Sequence, residues 1–400
     1  MIDGTAGVRG HRGVDEALLD DQAAMEAADP GQMLRHTASA GAQVRESAAL
    51  AAEANLTTIA DEGRPRAVVV AGQGTAARTG DILATVAGPH CPVPVLAHRS
   101  PGVPGWVGAA DVVIAVSASG RSPEALSAAE AAARRGARLV AIGRPDSELQ
   151  SVAESARAPF IPVPRRGPAR AGLWGLTIPV LLAARTLGLV KVTEADIAET
   201  AARLDADAER CRPAAESFVN PAKSLALDLA GSIPIVWASS TLATVAARRF
   251  ADTLSANARY PVVAGALAEA ARGQVGLLDG VYGALGEADR DIFADPAEAV
   301  DNDNTRLRLV LLRDGGLAED DGSEPEPLAV EERRAEAIQE IAERRGVRVS
   351  VLTAEGGSPL ERLASLVAVP DFASLYLAMA HGLDPMAVPA VSEVKESLTP

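Results

Sequence analysis

Three serines stand within six residues, Ser117, Ser119 and Ser122, with Gly120 among them and Pro123-Glu124 directly after. Hydroxyls at this spacing can donate to a single anion, and a glycine lets the backbone approach it closely. The chemistry they suit is phosphate binding. Pro123-Glu124 is good first-turn chemistry for a helix, whose N-terminus adds free N–H groups and a positive dipole end. An ordinary helix cap would need only one such serine. A second cluster, Gly72-Gln73-Gly74-Thr75-Ala76-Ala77, again joins glycine freedom to a hydroxyl. Its Gly72-x-Gly74-x-x-Ala77 spacing also satisfies a loose dinucleotide fingerprint, which needs an acidic residue about 20 positions on. Residues 93–99 carry no carboxylate, and Arg99 leaves an NADP reading open.

Each cluster ends an apolar run that must position it. Residues 112–116 are five aliphatics, mostly β-branched, and residues 67–71 are similar, which suits parallel strands buried on both faces. Further strands are expected at 93–97, 138–142 and 159–163, with a helix over 124–135. Strands alternating with helical segments imply βαβ units. A second unit begins near residue 196, with strands expected at 233–237, 275–278, 307–312 and 347–351. Its first turn, Ala238-Ser239-Ser240-Thr241, is hydroxyl-rich but lacks the glycine pattern, and reads as a duplicate that has drifted. Residues 15–60 have helical spacing. The apolar stretch 173–190 is interrupted by Pro179 and Arg185, and suits a helix packed between layers better than a membrane span. Residues 314–327, acidic and rich in Gly and Pro, read as a mobile surface loop. The expected fold is α/β: two units, each with a parallel sheet, plus N- and C-terminal helices.

Composition narrows the function. Four hundred residues exceed one ordinary core, and a formal charge of −15 disfavours nucleic acid and anionic membranes as partners. Cys91 and Cys211 are too few for a disulfide framework and have no metal spacing, which points to a reducing, cytoplasmic location and no metal. Asp3, Arg9, Arg12 and Asp15 leave no apolar stretch for a signal peptide.

Taken together, the two loops resemble the sugar isomerase (SIS) domain, where a Gly-x-Gly-Ser/Thr-Ala loop and a Ser-x-Ser-Gly-x-Ser/Thr loop share one sugar phosphate. The segment Pro168-Ala169-Arg170-Ala171 resembles the Pro-Arg-Ala segment of bifunctional phosphoglucose/phosphomannose isomerases, whose arginine faces the bound ligand. Asn257-Ala258-Arg259-Tyr260-Pro261, Leu267-Ala268-Glu269 and the ending Tyr376-Leu377-Ala378, Gly382-Leu383-Asp384-Pro385 and Val394-Lys395 resemble further segments of that family. The resemblance spans roughly residues 20–398. It implies a helical extension over 1–44, a first SIS domain over 45–195 and a second, with the C-terminal helix, over 196–400, each domain of the flavodoxin-like three-layer αβα form. It also implies a sugar phosphate as ligand, no cofactor, and a homodimer. The ligand contacts it implies are Gly72, Gly74, Thr75, Ser117, Ser119, Gly120, Ser122 and Arg170.

The activity implied is aldose–ketose isomerisation of glucose 6-phosphate or mannose 6-phosphate to fructose 6-phosphate. A proton must move between C1 and C2 through an enediolate, which needs a base, an acid and a partner for the developing oxyanion. The family's glutamate base falls on Ala256 here, and its ring-opening histidine on Arg272; neither can exchange a proton near neutrality. The histidines are His11, His36, His90, His98 and His381. Lys395 matches the family's C-terminal catalytic lysine, and is one of three lysines against 35 arginines. Glu269 and His381 are the candidates to replace the missing groups. Arg121, where the family usually has Asn, can add a bidentate phosphate contact; Arg272 can bind a second anion. The alternative is a phosphosugar-binding, regulatory protein without turnover.

Overall fold

Runs of β-branched residues form the first sheet where the sequence places them. The computed structural model describes residues 14–164, 166–285, 306–315 and 326–397. Five parallel strands, β1 (Val68–Ala71), β2 (Val95–His98), β3 (Val112–Ser117), β4 (Arg138–Gly143) and β5 (Phe160–Pro162), lie in the order β2-β1-β3-β4-β5. The chain steps from β1 to one side, then returns to pair β3 on the other, with Val70 beside Ile114 and Ala71 beside Ala115. Such a reversal opens a crevice at the carboxyl ends of the two strands, where α/β folds bind ligands.

Alternation along the strands sorts the layers. Val69, Val113, Ala115, Leu139 and Ala141 pack against Ala129 and Ala132 of helix Pro123–Arg134 and Leu149 and Ala153 of helix Glu148–Ser155. On the opposite face, Val68, Val70, Ile114 and Val116 meet helices Ala40–Glu53, Thr75–Ala87 and Leu173–Thr186. That core continues without a break into the second sheet.

The second sheet is also parallel: β6 (Ser232–Ala238), β7 (Val263–Ala266), β8 (Arg306–Arg313) and β9 (Arg348–Thr353), in the order β7-β6-β8-β9. Val236, Ala238, Val310 and Leu312 join the shared core through helices Thr241–Thr253 and Pro359–Ala380. Ile235, Trp237, Leu309 and Leu311 pack on Ala335, Ile338 and Ala342 of helix Glu326–Arg344. The fold is α/β with two three-layer units, as expected.

Some local expectations need correction. Residues 275–278 are not a strand but lie in the 3-10 helix Gln274–Asp279, and the sheet takes Val263–Ala266 instead. Gly276 breaks the apolar run, and Gln274 accepts a hydrogen bond from Trp237 Nε1 at 2.8 Å, which anchors the segment beside the sheet. The apolar helix ends at Thr186, because Gly188 turns left-handed (φ +71°). Asp314 is buried, 5% exposed, rather than part of a surface loop; residues from 326 are helical, and 316–325 lie outside the described residues. Among the described residues one helix, Pro359–Ala380, is long and apolar enough to cross a membrane by length and composition, and 89% of its apolar window is buried in the protein.

Candidate functional site

β3 delivers its last residue, Ser117, 2% exposed, to the crevice. Its Oγ accepts from Ser122 N at 3.3 Å and lies 3.4 Å from Ser119 Oγ, which accepts from Arg121 N at 3.2 Å. Gly120 has φ +68°, and a Cβ there would sit 2.1 Å from Ser147 Oγ, so both strain and space exclude a side chain. Ser122 stands at the N-cap of helix Pro123–Arg134 but does not cap it: its hydroxyl donates to Glu124 Oε2 at 2.9 Å. The helix therefore presents N–H groups that Ser122 leaves free for another acceptor. Arg121 is exposed at the rim.

The glycine loop lies beside this turn because β1 pairs with β3. A Cβ on Gly72 would meet Val116 O at 3.0 Å, whereas Gly74, at φ +56°, faces open space. Thr75 then starts helix Thr75–Ala87, again without a side-chain cap. Two helix N-termini thus flank one crevice, an arrangement that favours an anion. Arg99 does not point to a nucleotide: its guanidinium pairs with Asp81 at 2.6 Å.

Arg170, in the 3-10 turn Ala169–Ala171, acts as a clasp. Its Nε donates to Asn257 Oδ1 at 2.8 Å, and a terminal nitrogen donates to Pro385 O at 2.6 Å and Met386 O at 2.7 Å. Burial lowers its pKa from the usual arginine value, against the opposing pull of Asp384. Asn257, 3% exposed, is fixed in turn by its Nδ2 donating to Ser374 Oγ at 2.9 Å. Arg259 reaches the same C-terminal turn, donating to the carbonyls of Asp384 and Ala387.

The candidate proton-transfer groups stand on separate supports. Glu269 is exposed on helix Leu267–Ala270, which packs against β6, β7 and helix Glu326–Arg344; Arg272, just after it, is exposed as well. His381 caps helix Pro359–Ala380, and its Nε2 is hydrogen-bonded to Tyr260 Oη, which accepts from Gly231 N at 3.0 Å. Burial holds this imidazole below its ordinary pKa. Ala256 lies in the π-helical turn Leu254–Ala258. Lys395 falls on helix Pro389–Ser397, and its side chain lies outside the described residues.

Sequence reading missed a cavity of about 320 Å³ that touches the serine turn at Ala118. Helix Ala40–Glu53 forms one wall, and residues 163–164 and 166–172 form another. Gln43 ties the walls together: its Nε2 donates to Ala171 O at 2.9 Å and its Oε1 accepts from Gly175 N at 3.3 Å. Arg166 grips Glu46 with two hydrogen bonds, at 2.5 and 3.0 Å. The one available signal was polar residues at i, i+3 and i+4, Gln43, Glu46 and Ser47, on a helix otherwise rich in alanine.

The second sheet has closed its own hydroxyl turn. Ser240 Oγ accepts from Ala243 N and donates to Asp314 Oδ2 at 2.8 Å, while Asp314 N donates to Ser239 Oγ at 2.9 Å. Arg362 Nε donates to the same carboxylate at 2.9 Å. The hydroxyls of this turn are thus satisfied from within the protein.

Comparison with known proteins places this fold among sugar-phosphate isomerase structures. The profile of the bacterial phospho-glucose isomerase C-terminal SIS domain matches residues 218–398. A bifunctional phosphoglucose/phosphomannose isomerase of Caldicellulosiruptor bescii is 27% identical over 331 residues, 83% of this chain and 89% of that protein. A hypothetical protein from Thermus thermophilus shares the fold with a TM-score of 0.68 at 17% identity, over 96% of this chain and 94% of that one. The tagatose-6-phosphate ketose/aldose isomerase of Escherichia coli does so with a TM-score of 0.64 at 15% identity, over 89% and 95%. With its two parallel sheets and its serine turn at the strand crossover, the chain resembles the bifunctional phosphoglucose/phosphomannose isomerases, and its residues 218–398 match the C-terminal SIS domain of the bacterial phospho-glucose isomerases.

Proposed function

We propose that the chain binds a hexose 6-phosphate and interconverts glucose 6-phosphate or mannose 6-phosphate with fructose 6-phosphate. The observation that carries this reading is the placement of Gly72–Thr75 and Ser117–Ser122 side by side at the carboxyl ends of β1 and β3, each opening a helix with no side-chain cap. Phosphate oxygens accept from Ser117, Ser119, Ser122, Thr75 and the first-turn N–H groups, while Gly72, Gly74 and Gly120 let the backbone come close. Ser122 must release Glu124 to do so. Phosphate binding then holds the reacting carbons in place for proton transfer. Arg170 orders the turn at Pro385–Met386 that leads into the helix of Lys395. In this reading Lys395 stabilises the enediolate oxygen, and Glu269 or His381 supplies the base across a homodimer interface. Domain limits at 45 and 196 and a cytoplasmic location belong to the same proposal.

A second reading, binding without turnover, is favoured by the exposure of Glu269 and by the bond that engages His381 with Tyr260. Incubation with fructose 6-phosphate in deuterated water, followed by NMR for hours at high protein concentration, separates the two. Deuterium at C2 of a glucose or mannose 6-phosphate product, abolished by Lys395→Ala, is the result expected. Absence of exchange while ligand signals still broaden would establish the binding-only reading.

A further inference from the structure

We propose that the cavity between helix Ala40–Glu53 and the segment Arg166–Gly172 is the sugar subsite, where Glu46 and His36 recognise the hydroxyls of the ligand whose phosphate rests on the serine turn. This rests on the phosphate reading above and extends it to groups that no family motif covers. The turn and the cavity share a wall. Ala118, between Ser117 and Ser119, lines the cavity, which sets the sugar end of a ligand beside its phosphate.

Size and lining fit a sugar. About 320 Å³ suits a small ligand. Ala42, Leu50, Val163 and Leu176 form apolar walls, against which the C–H faces of a pyranose or open-chain sugar pack. Few polar groups converge there, which is the pattern of a specific small-molecule site. Gln43 and Ser47 are engaged within the protein: Gln43 bridges to Ala171 and Gly175, and Ser47 Oγ donates to Gln43 O at 2.7 Å. The Glu46 carboxylate has more acceptor capacity than Arg166's two bonds consume, and so can accept from sugar hydroxyls. The His36 ring lies against Gly167, close enough that a Cβ there would stand 2.6 Å from Nδ1. That contact fixes the ring beside the Pro168-Ala169-Arg170 segment.

Other polar groups near the crevice are committed elsewhere. Arg170 holds Asn257 and the C-terminal turn, and Glu269 stands on a helix packed against the second sheet. The cavity, in contrast, holds a carboxylate and an imidazole next to the turn itself.

Calorimetric titration of Glu46→Gln, His36→Ala and the cavity-filling Ala42→Trp, with fructose 6-phosphate and with inorganic phosphate as separate probes, tests the assignment. Thermal denaturation confirms that each variant folds. The expected result is a loss of about 10- to 100-fold in fructose 6-phosphate affinity with inorganic phosphate affinity unchanged. Unchanged affinity for both probes, or equal loss of both, would overturn the sugar subsite and leave the phosphate turn standing. Failure of the unmodified protein to bind either probe would remove the phosphate reading and this inference with it.

Discussion

The hydroxyl of Ser122 is shared between two fates. In the ligand-free turn it donates to Glu124, and a phosphate needs the same hydrogen while meeting the repulsion of that carboxylate. Glu124→Gln is therefore expected to tighten phosphosugar binding about threefold to tenfold in calorimetry, on the order of a partly exposed charge contact. Weaker binding would mean that Glu124 organises the turn instead. His381 gives a second residue-level expectation. Burial lowers its pKa below 6.5, so below that pH the unfolded chain takes up a proton that the folded chain refuses. Its contribution to stability is complete above pH 6.5 and falls as the pH drops from there toward the folded value. Urea denaturation between pH 5 and 8, with His381→Gln as the control, should show a steeper acid-side decline in the unmodified protein; identical slopes would sink the assignment. Lysine is scarce in this chain, which drew attention to Lys395, and at another of the three positions its presence has a structural cause. Buried Lys223 donates to the carbonyls of Leu19, Pro213 and Ala215 and sits 5.6 Å over the Tyr376 ring, a convergence that a compact ammonium satisfies and a planar guanidinium does not.

Elements were legible where their cause is local. Val68–Val70 and Val112–Ile114 announce buried strands by residue type, and Ser119-Gly120-x-Ser122-Pro123 announces a turn and a helix start. β7 does not announce itself, because Val263-Ala264-Gly265-Ala266 carries little β-branched bulk and becomes a strand through its place between β6 and Gln274. The same contact misled the reading of residues 275–278, whose apolar character serves the packing of a 3-10 segment. Gly265 is required there, since a Cβ would come within 2.9 Å of Gln274 Oε1 and disturb its bond to Trp237. Gly265→Ala is expected to cost about 1–3 kcal/mol in urea denaturation. A cost near zero would mean that Gln274 moves freely. The cavity beside the serine turn was hidden for the opposite reason: its walls are more than a hundred residues apart, and the polar stripe Gln43, Glu46 and Ser47 on helix Ala40–Glu53 does not say which segment faces it.

The molecule as a whole joins its two sheets through one core and through polar ties. Arg249 pairs with Asp371 at 2.9 Å and donates to Arg170 O, Arg78 pairs with Asp252 at 2.6 Å, and Arg170 holds Asn257. Such ties fix the first sheet's crevice relative to the C-terminal turn. The duplication is asymmetric in chemistry. The first hydroxyl turn is open, while the second is filled by Asp314 and balanced by Arg362. One sugar phosphate per chain, held by the first turn, is therefore expected. Titration of fructose 6-phosphate into the protein and into Ser119→Ala/Ser122→Ala by calorimetry tests this most directly. One ligand per chain in the unmodified protein, with binding lost in the double variant, is the predicted result. Equal affinity in both proteins, or two ligands per chain, would contradict it.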